Sequence, residues 1–166
     1  DSTSDDPDVS MGDDAGFLGA PGRAEIPEFC GRCHADAAFI RQYNPALRVD
    51  QLALYWTSLH GKQLRDAGDL KVATCADCHH AHGILPIADP RSPVYAANVP
   101  RTCSSCHSDA AHMASYGIAT NQYERYSGSV HGQALLERGD LAAPACNDCH
   151  GNHGATPPGV NSVANV

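Results

Sequence analysis

All eight cysteines of this 166-residue chain fall in one five-residue pattern, Cys-x-x-Cys followed at once by His. The four copies are Cys30-Gly-Arg-Cys33-His34, Cys75-Ala-Asp-Cys78-His79, Cys103-Ser-Ser-Cys106-His107 and Cys146-Asn-Asp-Cys149-His150. Whatever these anchor points hold must shape the fold, because the chain has little else to build around. Only 3 Phe and 1 Trp are present, and aromatic side chains normally supply much of a core's bulk. A chain this poor in them packs loosely or carries something else at its centre.

Three chemistries use paired cysteines, and the histidines separate them. A structural zinc takes two Cys-x-x-Cys pairs but needs no histidine after each one. Disulfides leave the histidines unexplained as well. A thioredoxin-like pair calls for a single motif in a βαβ setting, not four in loop-rich sequence. With 10 His in the chain, four such neighbours arise by chance roughly once in 10⁵, and the pattern reads as c-type haem attachment. On a helical turn residues three apart face the same way. Two thiols can then bond to one porphyrin edge while the next histidine meets the iron. The expected cofactor is therefore four haem c, with Cys30, Cys33, Cys75, Cys78, Cys103, Cys106, Cys146 and Cys149 as covalent anchors.

The motifs come in two sets. Residues 55–86, "YWTSLHGKQLRDAGDLKVATCADCHHAHGILP", align with residues 126–157, "YSGSVHGQALLERGDLAAPACNDCHGNHGATP". Upstream, "PEFCGRCHADAAF" aligns with "PRTCSSCHSDAAH" at an offset two residues larger, which places the length difference near Pro45. The organisation expected is an acidic N-terminal tail over 1–25, a first dihaem repeat over 26–98 and a second over 99–166, sharing one body. "DQLALYWTSLHGKQLRDAG" and "NQYERYSGSVHGQALLERG" are the best helix candidates, with Gly68 and Gly139 as stops. Gly61 and Gly132 mark a break or a tight packing point inside them. The fold class expected is mostly α and irregular, wrapped around four haems. A globule of this length has a radius of gyration of about 15 Å, which keeps four macrocycles close.

His34, His79, His107 and His150 are the proximal metal ligands. The repeat sorts the rest: His60 matches His131 within Ser-x-His-Gly, and His82 matches His153 within Cys-His-x-x-His-Gly. Four irons need four more ligands, and these four supply them. His80 and His112 match Gly151 and Phe39 and are expected to be ordinary surface or core residues. Met11 and Met113 are not required. His82 lies three residues beyond His79, so a continuing helix would project both the same way. It is expected to reach the iron of a neighbouring haem, or else to donate to a propionate, and His153 to behave alike. His60 and His131 would complete the other irons. Histidine in place of methionine removes one factor that raises haem potential.

These motifs resemble the multihaem c-type cytochromes with doubled Cys-x-x-Cys-His units, over residues 26–166. "SVHGQALLERGDLAAPACNDCHGNHGATPPGVNSVANV" is similar to repeats in long respiratory cytochromes of that group. The resemblance implies periplasmic or extracellular electron transfer, with the Ser-x-His-Gly residues His60 and His131 as distal ligands. By the spacing of "YAANVPRTC", a further Pro-x-x-Cys could begin after "NSVANV", so the chain reads as a trimmed piece or as a short member of a family of longer chains.

Charge and the termini bear on partners. The formal net charge of −8 argues against nucleic acid, whose phosphates it would repel. No run of 18 apolar residues offers a membrane span. The start at Asp1, without a basic-then-apolar leader, reads as a processed exported protein. "DSTSDDPDVSMGDDAG" has the alternating Asp6, Asp8 and Ser10 of a calcium loop, but Gly12 falls one place late and Phe17 replaces the closing glutamate, so a solvated acidic tail is expected. Propionates and irons bring the expected holoprotein to about −12, which steers basic redox partners to it. The function expected is a tetrahaem carrier between respiratory redox proteins, not an enzyme. Two other arrangements stay open. One is a subunit of a conducting extracellular filament or of a membrane complex; the other is a small reductase with one open haem.

Overall fold

The computed structural model describes residues 5–10 and 19–157. The acidic tail is therefore described only in part, and residues 158–166 and Met11 lie outside the described residues. Within it Asp5, Asp6 and Asp8 are exposed, the last in a single turn α1 (Pro7–Ser10). Among the described residues the fold is mostly helical, with no strand.

The helices are short, and their order recurs. The first half runs α2 (Ile26–His34), α3 (Ala37–Ile40), α4 (Gln51–Thr57), α5 (Leu59–Ala67) and α6 (Cys75–His79). The second runs α7 (Val99–His107), α8 (Ala110–Met113), α9 (Gln122–Ser127), α10 (Val130–Gly132) leading into a π-helical turn (Gln133–Glu137), and α11 (Cys146–His150). Local chemistry recurs with it. Pro27 and Pro100 sit in the first turns of α2 and α7, where a missing N–H costs nothing. Asp36 and Asp109 cap α3 and α8, each carboxylate accepting two backbone N–H groups.

The long helix candidates are each broken, and the break comes before the glycine. Ser58 leaves the helix at ψ 163, and its hydroxyl accepts from the Gly61 N–H at 2.9 Å. Ser129 does the same for Gly132 at 3.1 Å. The glycines are instead points of close approach. A Cβ on Gly61 would lie 2.1 Å from the Tyr55 carbonyl oxygen, and one on Gly132 would lie 2.0 Å from that of Tyr126. Gly68 and Gly139 do end their helical segments, at φ 64 and 67.

The apolar interior is thin. One cluster joins Tyr55, Leu64 and Val72, with Trp56 and Tyr116 against it. A second joins Val99, Leu135 and Ala145. Each tyrosine also ties the chain ahead of the next Cys-x-x-Cys-His: Tyr55 donates to the Ala73 carbonyl at 2.9 Å and Tyr126 to that of Pro144 at 3.0 Å. Large apolar side chains such as Leu70, Ile84, Ile87 and Val130 stay exposed.

Candidate functional site

Each motif histidine is the last residue of its helix: His34 of α2, His79 of α6, His107 of α7 and His150 of α11. Both cysteines of each motif therefore sit one helical turn apart on the same side. Carboxylates fix the entry to the second motif of each half. Asp77 accepts from the Thr74 N–H at 2.6 Å and from its hydroxyl at 2.9 Å, and Asp148 accepts from the Ala145 N–H at 2.7 Å. Arg23 adds an ion pair to Asp77 at 2.8 Å.

The motif helices pack in pairs, α2 on α6 and α7 on α11. Within each pair a thiol of one motif lies beside a thiol of the other. Burial, then the neighbouring Cys30 thiol, pushes Cys75 up to about 12. A hydrogen bond to Cys146, then burial, raises Cys103. Burial, with Asp77 and then Cys106 nearby, raises Cys78. The first and second motifs, and the third and fourth, thus bring a thiol from each side by side.

Two pairs of imidazoles face each other across the halves. His60 of α5 and His107 have ring centres 6.1 Å apart. His79 and His153 also stand at 6.1 Å, with planes within 9° of parallel. The four are half-buried. Burial is the main cause that pushes each of them below the usual imidazole range, and the facing ring adds to it at His60 and His79. A neutral imidazole keeps the lone pair that a metal takes. The chain reaches this arrangement through the segment after α11, where the Leu59 N–H donates to the Ala155 carbonyl at 3.0 Å and sets His153 beside the first half.

The other four expected ligands are not brought together. His34, His82, His131 and His150 are exposed, and none has a ring partner among the described residues. His150 is nonetheless oriented, its Nδ1–H donating to the Thr156 carbonyl at 3.0 Å, which leaves Nε2 for a metal. The spare histidines take ordinary places. His112 packs on Tyr116 at 6.2 Å, as its counterpart Phe39 packs on Tyr43 at 5.3 Å. His80 is exposed, and Met113 is buried like its counterpart Ile40. One geometric premise changes: α6 stops at His79 and His80 turns the backbone at φ 66, so His82 does not share a helical face with His79.

Among the described residues no group of three or more His, Cys, Asp or Glu converges as a metal site. Haem iron asks the protein for only two axial ligands. Two imidazoles on opposite faces of one iron, with bonds of about 2 Å, place their ring centres about 6 Å apart. His60–His107 and His79–His153 meet that spacing. Among the described residues no helix is long and apolar enough to cross a membrane. No family model, curated protein or solved structure matches the chain.

Proposed function

We propose that the chain is a c-type cytochrome with four covalently attached haems, built as two tandem dihaem units, that passes electrons between redox partners in the periplasm or outside the cell. The observation that carries this is the pairing of a motif histidine with a histidine of the other half, twice, at a spacing that suits one iron between them. When bound, haem supplies a one-electron Fe(III)/Fe(II) couple. The chain's own residues do the rest. The cysteine pairs anchor each group. Burial holds His60, His79, His107 and His153 neutral for the metal. The helix pairs α2–α6 and α7–α11 set successive attachment sites side by side.

The thin core and the exposed Leu70, Ile87 and Leu141 support a chain completed by a large apolar group. A carrier is favoured over a reductase because facing histidines leave no coordination position open at the two paired sites. The test is the His60→Ala holoprotein. One haem, the one attached at Cys103 and Cys106, is expected to turn from low to high spin by electron paramagnetic resonance, and His153→Ala to do the same for the haem at Cys75 and Cys78. If both variants stay fully low-spin, the pairing is not axial ligation and the proposal fails.

A further inference from the structure

The internal junction between the two halves follows a rule, and that rule, carried outward, gives His34, His82, His131 and His150 complementary roles. At the junction the Ser-x-His-Gly histidine of the first half, His60, faces the first motif histidine of the second, His107. In return, the Cys-His-x-x-His histidine of the second half, His153, faces the second motif histidine of the first, His79. Carrying the rule forward, His131 faces the first motif histidine of whatever follows, and His150 receives a His82-type ligand from it. Carrying it backward, His34 receives a His131-type ligand and His82 reaches outward. One end thus offers His131 and seeks a ligand at His150, and the other offers His82 and seeks one at His34.

Burial divides the histidines along the same line. His60, His79, His107 and His153 are half-buried, and their counterparts His131, His150, His34 and His82 are all exposed. The cysteines agree independently. Cys78 and Cys106, on the motifs whose histidines pair at the junction, are both partly buried. Their counterparts, Cys149 and Cys33, are the two exposed cysteines of the eight. The backbone bond from Leu59 to Ala155 at the junction has its counterparts in Val130 and Ile84, which are 76% and 59% exposed.

We infer that this chain docks head to tail on a second copy of itself, repeating the internal junction, so that His131 of one copy ligates the haem held at His34 of the next and His82 of the next ligates the haem held at His150 of the first. The inference rests on the haem reading above. A second copy is the partner that fits, because the exposed His131 and His82 match the exposed His34 and His150 as ligand to receiver, and the exposed Val130 matches the exposed Ile84. Each added copy presents the same end again, so the contact propagates as an open heterologous assembly.

The test uses the four-haem protein across a dilution series, with sedimentation for size and electron paramagnetic resonance for spin state. Concentrated protein should form head-to-tail oligomers with all haems low-spin. Dilution to monomer should turn two of the four haems, those at His34 and His150, high-spin and open to carbon monoxide. The His131→Ala and His82→Ala variants should each lose long assemblies, and an equimolar mixture should stop at a dimer, because one intact junction remains between them. Four low-spin haems in a dilute monomer would overturn the inference, as would two high-spin haems at every concentration with no association. Neither result touches the carrier proposal, whose failure shows instead as unaltered spin in His60→Ala and His153→Ala.

Discussion

His80 holds the one positive φ outside glycine among the described residues, 66°, with ψ at 168°. That region is almost reserved for glycine and costs other residues about 1–3 kcal/mol. Its counterpart Gly151 adopts nearly the same angles, φ 86 and ψ 155, without a side chain to strain. His80→Gly is therefore expected to stabilise the fold by about 1 kcal/mol and to leave the spin state of every haem as in the parent, read from chemical unfolding and electron paramagnetic resonance together. A loss of stability or of a low-spin haem would give His80 a role that its position does not. The opposite holds at Gly61, where a Cβ would meet backbone, not a flexible side-chain end. Gly61→Ala must open the Tyr55–Ser58 turn that aims His60. It should cost about 1–3 kcal/mol and weaken the low-spin signal of the haem attached at Cys103 and Cys106. An unchanged melting temperature would show that the turn yields freely.

Between elements, the halves are tied by a polar contact as well as by the facing histidines. Tyr116 donates to Asp69 at 2.6 Å, and Lys71 lies over the Tyr116 ring while reaching Ser115 at 3.2 Å. The Tyr116 hydroxyl, then the Lys71 N–H, hold the Asp69 carboxyl below its usual range, and Asp69 in turn pushes Tyr116 up to about 12. The lowered carboxyl adds stability that is whole above the unfolded value of about 3.9 and is lost as pH falls through its folded value. The raised phenol adds stability that is whole below about 10 and is lost as pH climbs towards about 12. Tyr116→Phe should flatten both flanks of the stability–pH curve by lowering the plateau between them, so its largest loss falls near pH 7. Equal slopes in variant and parent would remove the contact from the account. At this scale the sequence was legible wherever a residue type forces a conformation. Gly68 and Gly139 announce helix ends, and the four motifs sit on helices as their spacing requires. The break at Ser58 and Ser129 was not legible, because a serine inside an apolar-periodic stretch looks like a solvent-facing helical residue until its hydroxyl is seen capping Gly61 or Gly132. The matched Tyr55 and Tyr126 were in plain view in the aligned segments, yet their clamp on Ala73 and Pro144 shows only in three dimensions.

For the molecule as a whole, periodicity identified which histidines correspond but not which ones meet. The crossing of His60 to His107 and of His153 to His79 depends on how the segment after α11 docks on α4 and α5, a long-range contact that no local pattern encodes. The uneven charge is legible: at −8 before any cofactor, association with a basic redox protein should slow steeply as ionic strength rises, and stopped-flow rates that ignore salt would contradict electrostatic docking. All of these expectations rest on four covalent haems, and one measurement reaches that claim directly. The intact mass of the holoprotein, taken with its pyridine haemochrome absorbance, should show four haems added per chain, one for each Cys-x-x-Cys-His motif. A mass equal to the bare polypeptide, or to the polypeptide plus zinc, would contradict it.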